Sequence, residues 1–446
     1  MINKDYFKNK KVTIVGLARS GFACANLLSD LGAQVSVTDS QDNDSTRSNA
    51  IKLKDIKVEL GRHSQGLIRN RDLLVVSPGV SDDALPISWA KEFNIPIISE
   101  IEVAWILCPA TVIAVTGTNG KTTVATLIGR ILEAAGERVF VCGNIGNPFC
   151  GELPKIEKDA FVSLEVSSFQ LERIQNFKPK ISIILNFTSD HLDRYSDVLE
   201  YLKAKKRIFM NQDKSDYLVL NQEDRMLKDL AKETQANVVY FYGTGKYKTL
   251  SHTTAKIAES HLPEAISCQT PNLNPNFAAS LAVGSILGID KELCLGVFNK
   301  FDGLEHRLEY VAELNNIKFI NDSKCTNIDS AIWAFKNILR PIVLIAGGRD
   351  KGSDYSLILD LMQSKVKEVI LIGEAKKKIE NAWAEFLSIH EASSLEEAVK
   401  TAFSLAKAGD CVLLSPMCSS FDMFSNYEER GRIFKKAVYD LIRNKS

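Results

Sequence analysis

The sequence has no C-x-x-C pair, no apolar run of membrane-spanning length and no surplus of either charge. Each absence excludes something. Nine cysteines without paired spacing read as reduced thiols in a cytoplasmic protein. Cys142, Cys325, Cys411 and Cys418 sit within or beside apolar runs, where burial is expected. Without a long apolar run no membrane span is expected. Lys+Arg and Asp+Glu are both 55, so no global field favours nucleic acid or an anionic membrane. Any acidic ligand must be held by local clusters. Met1 to Lys11 is charged and lacks an apolar core, so no signal peptide is expected. There is no internal repeat and no low-complexity linker. The 446 residues suit two to four domains joined by short hinges, and a monomer is expected.

What is present is led by Gly117-Thr118-Asn119-Gly120-Lys121-Thr122-Thr123. It follows an apolar run, Thr111 to Val115, that reads as a buried strand. It opens a segment, Thr122 to Ala135, with helical spacing of Val124, Leu127, Ile128 and Ile131. A strand, a glycine-rich turn and a helix start make a phosphate cradle. Backbone N–H groups face the anion, the lysine adds a point charge, and the hydroxyl suits Mg²⁺. One departure is Val115, where the general pattern G-x-x-x-x-G-K-[ST] has glycine. A turn that binds nothing leaves Lys121 and the two threonines unexplained.

The fold class is α/β with three domains. Residues 1–99 read as a Rossmann-like domain. Its strand Lys11 to Val15, the turn Gly16-Leu17-Ala18-Arg19-Ser20-Gly21, a helix to about Leu31 and a strand Gln34 to Asp39 make half of a dinucleotide unit. Ala18 replaces the second glycine, so this signal is weak alone. Further strands read at Leu73 to Ser77 and Ile95 to Ser99. Residues 100–303 form a P-loop domain with a mostly parallel sheet, with strands at Val139 to Cys142, Phe161 to Val166, Ile181 to Asn186 and Tyr217 to Leu220. Helices read at Pro275 to Leu287 and Lys291 to Asn299. Residues 304–446 form a third α/β domain, also Rossmann-like, with strands Phe319 to Asn321, Ile342 to Ala346, Glu368 to Ile372 and Cys411 to Leu414.

Open α/β sheets place ligands beyond the C-terminal ends of their strands. Three segments of the second domain fall there: Gly143-Asn144-Ile145-Gly146, Glu165-Val166-Ser167-Ser168-Phe169-Gln170 and Asn186 to Asp193. A carboxylate and an imidazole near triphosphate suit Mg²⁺. A lone histidine after a strand is usually structural, but His191 stands between Asp190 and Asp193, which favours a ligand. In the third domain Arg307, Lys324 and Lys351 bring cations to such ends, as a multiply anionic small substrate requires.

Together these segments carry a resemblance. Gly117 to Thr123, Gly143 to Gly146, Glu165 to Gln170, Asp190-His191-Leu192-Asp193-Arg194, His306-Arg307 and Asn321-Asp322-Ser323-Lys324-Cys325-Thr326-Asn327 resemble the Mur ligase family in order and over nearly the whole chain. Within it, Ser77-Pro78-Gly79, the Asn-Asp-Ser-Lys motif and Ser415-Pro416 with Cys418 resemble the branch that joins D-glutamate to UDP-N-acetylmuramoyl-L-alanine. The resemblance implies ATP-dependent amide formation in cytoplasmic peptidoglycan precursor synthesis, through an acyl phosphate. It implies triphosphate contacts from Gly117, Thr118, Asn119, Gly120, Lys121, Thr122 and Thr123. Asn276, Arg307 and Asp322 are further ATP contacts. Metal ligands are Thr122, Glu165, His191 and a carbamylated lysine, Lys205, with two Mg²⁺ ions. Lys203 and Lys206 are neighbours that leave the lysine open. Ser20, Asp39 and Ser40 are UDP contacts, and Asn144, Ser167 and Gln170 hold the sugar-linked end. Lys324, Thr326, Lys351, Ser420 and Tyr427 form the D-glutamate pocket, with the Tyr427 hydroxyl incidental. The catalytic set is Lys121, Glu165, His191 and Lys205. The family's His-Asn-x-x-Asn appears here as Asn272-Leu273-Asn274-Pro275-Asn276, so Asn272 and Asn274 compete for the first asparagine. The competing readings are a folylpolyglutamate synthase-like ligase, an NAD-binding oxidoreductase and a mechanical P-loop ATPase. The first is not expected to carry the Rossmann-like first domain, the second leaves Gly120-Lys121-Thr122 unexplained, and the third requires an acid-ended second nucleotide strand that Phe161 to Glu165 fits only in part.

Overall fold

The computed structural model describes residues 4–144, 146–191, 194–242, 247–250 and 274–443. Ile145, Leu192, Asp193 and Asn272 lie outside them. The chain divides into two compact units, Met1–Phe187 with Leu199–Phe301, and Thr188–Val198 with Asp302–Ser446.

The first unit holds two sheets. β1 (Lys11–Val15), β2 (Gln34–Asp39), β3 (Lys57–Leu60), β4 (Leu73–Val76) and β5 (Ile97–Ser99) form a parallel sheet in the order β3-β2-β1-β4-β5. Its helix Arg19–Asp30 starts at Ala18, which supplies no side-chain cap. β6 (Thr111–Thr116), β7 (Val139–Gly143), β8 (Phe161–Glu165), β9 (Ile181–Ile184), β10 (Tyr217–Asn221), β11 (Asn237–Phe241) and β12 (Tyr247–Leu250) form the second sheet. Its order is β12-β11-β10-β9-β6-β8-β7, parallel except for β11–β12. β6 lies inside the sheet, and Val112 to Thr116 are all buried, as a strand covered by helices on both faces must be.

The two sheets of this unit are tied through polar groups. Glu102, with no exposed surface, accepts from the N–H groups of Gln175, Asn176 and Phe177 at 3.0, 2.7 and 3.0 Å. Glu100 accepts from Gln170 Nε2 at 2.8 Å, while its Oε2 has no partner. Burial pushes the Glu100 carboxyl up to about 7. The folded state thus holds this proton to near neutrality, and the unfolded chain releases it near 4.5. Stability is full below that lower value and falls as pH rises through the window, by about 3 kcal/mol in total. Glu100→Gln keeps the acceptor for Gln170 and removes the titration. Its thermal midpoint should change less than that of the parent between pH 5 and 7.5. Equal pH slopes in calorimetry would remove Glu100 as the cause.

The second unit holds β13 (Glu309–Leu314), β14 (Ile317–Asn321), β15 (Ile342–Gly347), β16 (Val366–Ile372), β17 (Ser388–Glu391) and β18 (Cys411–Leu414). The order is β13-β14-β18-β15-β16-β17, with only β13–β14 antiparallel. β15 is buried along its length and separates two apolar layers. The C-terminal helix Tyr427–Arg443 covers one face through Phe434, Ala437 and Val438.

Candidate active site

In the first unit the ends of β7, β8, β6 and β9 come together. The helix Lys121–Ala134 begins directly after Gly120, whose φ is +85°. A Cβ at Gly120 would lie 2.4 Å from Asn276 Oδ1, so glycine is needed for both backbone and space. Asn186, just beyond β9, braces the loop. It accepts from Asn119 N at 2.8 Å and donates to Asn119 O at 3.0 Å. Sequence reasoning gave Asn186 no role.

Lys121 Nζ donates to Gly117 O and Thr118 O at 3.0 and 2.9 Å. Its charge thus sits over the cradle. Thr123 Oγ1 is buried without a partner, and no side chain caps this helix. An orphaned hydroxyl and an uncapped helix start fit a bound phosphate chain. Glu165, buried at the end of β8, accepts from Thr122 Oγ1 at 2.7 Å and from Asn144 Nδ2 at 2.9 Å. This hard-oxygen pair fits Mg²⁺.

Lys205 has 1 % of its surface exposed and donates to Gly117 O at 2.9 Å. Lys203 is exposed beside Glu200, and Lys206 pairs with Glu233. Of the three, only Lys205 is brought to the phosphate loop. Asn276 stands at Gly120, and Asn274 instead caps the helix Pro275–Ile286, accepting from Asn276 N at 2.9 Å. Ser167 caps the short helix Ser168–Leu171, and Gln170 is spent on Ser167 N at 2.9 Å and on Glu100. Asp39 accepts from Leu17 N at 2.6 Å and Gln41 N at 2.8 Å, so it shapes the first turn. Ser40 is exposed beside it, and Ser20 lies in the first turn of the helix.

In the second unit the ends of β14, β18 and β15 gather the expected third-domain residues. Asp322 follows β14 and accepts from Leu308 N and Ser415 Oγ, both at 3.2 Å. Burial pushes its carboxyl up to about 7, against the pull of Arg307. Arg307 Nε is buried with no hydrogen-bond partner. Lys324 Nζ donates to the Tyr427 hydroxyl at 3.1 Å and lies 4.8 Å from the ring centroid. The Tyr427 hydroxyl, expected to be incidental, thus contacts the Lys324 ammonium. Thr326 lies in the turn before the helix Ile328–Asn337, and Ser420 is buried beyond β18.

His191 belongs to this second unit. Its neighbour Asp190 accepts from Asn327 Nδ2 at 3.1 Å and lies 3.7 Å from Lys351 Nζ. Burial opposes ionisation there, but Lys351, His191 and Asn327 hold the Asp190 carboxyl down at about 2. Arg430 was not singled out from the sequence. It stands three residues after Tyr427 in a run of charges that reads as a solvated helix, yet it is fully buried. Burial lowers it to about 10. The eight described cysteines are unpaired thiols, seven of them buried.

Comparison with known proteins identifies the family. Residues 10–99 match the Mur ligase MurD-like N-terminal domain, 115–283 the Mur ligase middle domain, and 306–418 the Mur ligase glutamate ligase domain. The UDP-N-acetylmuramoylalanine–D-glutamate ligase of Geotalea daltonii is 41% identical over 441 residues, covering 97% of each chain. That of Clostridioides difficile is 41% identical over 449 residues, covering 97% of this chain and 99% of the relative. Among solved structures, the UDP-N-acetylmuramate–alanine ligase of Thermotoga maritima shares the fold at TM-score 0.58 and 18% identity, over 97% of this chain and 99% of that one. The MurF ligase of Thermotoga maritima, in complex with ADP, does so at TM-score 0.58 and 15% identity, over 99% and 97%. The chain belongs to the Mur ligase family. It is an ATP-dependent ligase that forms a carbon–nitrogen bond. Among the described residues no helix is long and apolar enough to cross a membrane.

Proposed function

We propose that this chain joins D-glutamate to UDP-N-acetylmuramoyl-L-alanine, with ATP converted to ADP and phosphate, in cytoplasmic peptidoglycan precursor synthesis. The observation that carries this reading is 41% identity along 97% of both chains with a ligase of that name. A carboxylate is a poor acyl donor at neutral pH. Its oxygen attacks the γ-phosphorus, ADP leaves, and an acyl phosphate results. The amine of D-glutamate then attacks the acyl carbon, and the tetrahedral intermediate collapses with loss of phosphate.

The roles of the residues follow from their chemistry. Lys121 and the loop N–H groups from Gly117 to Thr123 hold the triphosphate and offset its repulsion of the incoming carboxylate. Thr122 and Glu165 would hold Mg²⁺, which supplies Lewis-acid stabilisation of phosphoryl oxygens. Lys205 is the lysine for carbamylation. It is buried with its Nζ at Gly117 O of the phosphate loop, and carbamylation would turn that ammonium into an oxygen donor set there. A second Mg²⁺, and His191 as a ligand, rest on the family resemblance alone. Asn276, Arg307 and Asp322 serve ATP. Ser20, Asp39 and Ser40 serve UDP at the uncapped helix Arg19–Asp30, with Asn144, Ser167 and Gln170 toward the sugar-linked end. We propose a monomer that acts on small molecules only.

Lys324, Thr326, Lys351, Ser420 and Tyr427 take D-glutamate. Its two carboxylates need fixed donors while the amine stays neutral for attack. Three fixed contacts also set chirality, because L-glutamate cannot keep both carboxylates paired and still aim its amine. Lys324→Ala and Lys351→Ala should each weaken glutamate use by about 1.5–3 kcal/mol, the range for a hydrogen bond to a charged group. The KM for ATP should hold. The test is amide formation with D-glutamate, L-glutamate, L-lysine and meso-diaminopimelate, each with ATP and UDP-N-acetylmuramoyl-L-alanine. Preference for any amine but D-glutamate overturns the substrate reading.

A further inference from the structure

Arg430 has no exposed surface. No carboxylate among the described residues forms an ion pair with it; its donors go to Ser323 and to main-chain carbonyls. Nε donates to Ser323 Oγ at 3.0 Å and Nη2 to Ser323 O at 2.8 Å. Nη1 and Nη2 both reach Cys418 O at 3.2 Å, and Nη1 reaches Ser419 O at 3.3 Å. Ser323 Oγ in turn donates to Tyr427 O at 2.8 Å, closing the network on the helix that carries Arg430. A Cβ placed on Gly348 would lie 3.3 Å from Nη1, so the guanidinium also packs on the loop after β15.

Three strand-end loops therefore meet one planar fork. The β14 loop carries Lys324, the β15 loop carries Lys351, and the β18 loop carries Ser420. A buried cation that only filled space could be replaced by an apolar side chain at little cost. A rigid fork of five donors instead fixes the register of the loops it bridges, which lysine cannot reproduce.

We propose that Arg430 is a positioning residue for the amino-acid substrate, setting the spacing of Lys324, Lys351 and Ser420 without touching the substrate. The inference rests on the D-glutamate reading of that pocket. Its test uses the full chain with Arg430→Lys, and Arg430→Met as a second variant in case one fails to fold. Steady-state kinetics should show the KM for D-glutamate raised by at least about tenfold, since misplacement on the ångström scale costs that much and more. The KM values for ATP and the nucleotide sugar should stay within about twofold, with thermal midpoints close to the parent. Arg430→Lys should recover less than half of the loss seen in Arg430→Met. Amide hydrogen exchange should quicken in 321–327, 347–351 and 415–420 and nowhere else in the second unit. An unchanged KM for D-glutamate, or KM values that all rise together with a fall in thermal midpoint, overturns the proposal. If the parent does not use D-glutamate, the substrate reading fails. Exchange still decides the clamp in that case: unchanged rates in the three loops refute it.

Discussion

Lys121→Ala should lower turnover by a factor of about 100 to 1,000, the scale of losing one preorganised electrostatic donor. The lysine stands over the cradle with Nζ 3.0 and 2.9 Å from Gly117 O and Thr118 O. Phosphate bound there would take over those donors. Without the ammonium, three phosphate groups and a carboxylate repel one another with one cation fewer. The helix should survive, because alanine is the best helix former and Gly120 keeps the turn. The measurement is phosphate release dependent on D-glutamate, together with circular dichroism. Near-parental turnover in a folded variant would remove the loop from the chemistry.

Glu165→Ala should cost as much or more. This carboxylate is buried and accepts two hydrogen bonds, from Thr122 and Asn144. Truncation leaves both donors without their acceptor and removes the anion beside the phosphate loop. The Thr122→Ala change acts on the same pair at 2.7 Å. The double variant should therefore lose less than the sum of the two single losses, because the residues act as one unit. Full additivity would mean that hydroxyl and carboxylate serve separate steps. Raising the Mg²⁺ concentration should partly restore the Thr122→Ala enzyme and leave Glu165→Ala unmoved.

The central strands were legible because covered parallel strands read as unbroken apolar runs. β6, β9, β15 and β18 announce themselves in this way. β3, β13 and β17 did not. Lys57–Leu60, Glu309–Leu314 and Ser388–Glu391 are outer strands of their sheets with Lys, Glu, Ser or His facing water, and such a pattern looks like loop. β11, Asn237–Phe241, is apolar enough, but the connection from β10 carries only a 3-10 turn, so no helical spacing marked a crossover.

The site was legible where chemistry lies in one local motif, as in Gly117 to Thr123. It was hidden where a residue works through others across long separations. Asn186 reaches the phosphate loop 67 positions away. Arg430 reaches Ser323 across 107. No spacing rule sees either pair. Gln170 was legible as a polar residue near the site, but its engagement by Ser167 and Glu100 needed the fold.

The bond between Asp190 and Asn327 spans 137 positions. During synthesis at 5–20 residues per second, Asp190 leaves the ribosome roughly 7 to 27 s before its partner does. Over that interval the sheet from β6 to β10 can close, since β10 is complete by Asn221. The stretch 188–198 must wait. Nascent chains halted before Asn327 should therefore present this stretch to proteases, and chains released after Asn327 should protect it. The order of emergence thus makes His191 one of the last residues of the first two hundred to reach its final surroundings.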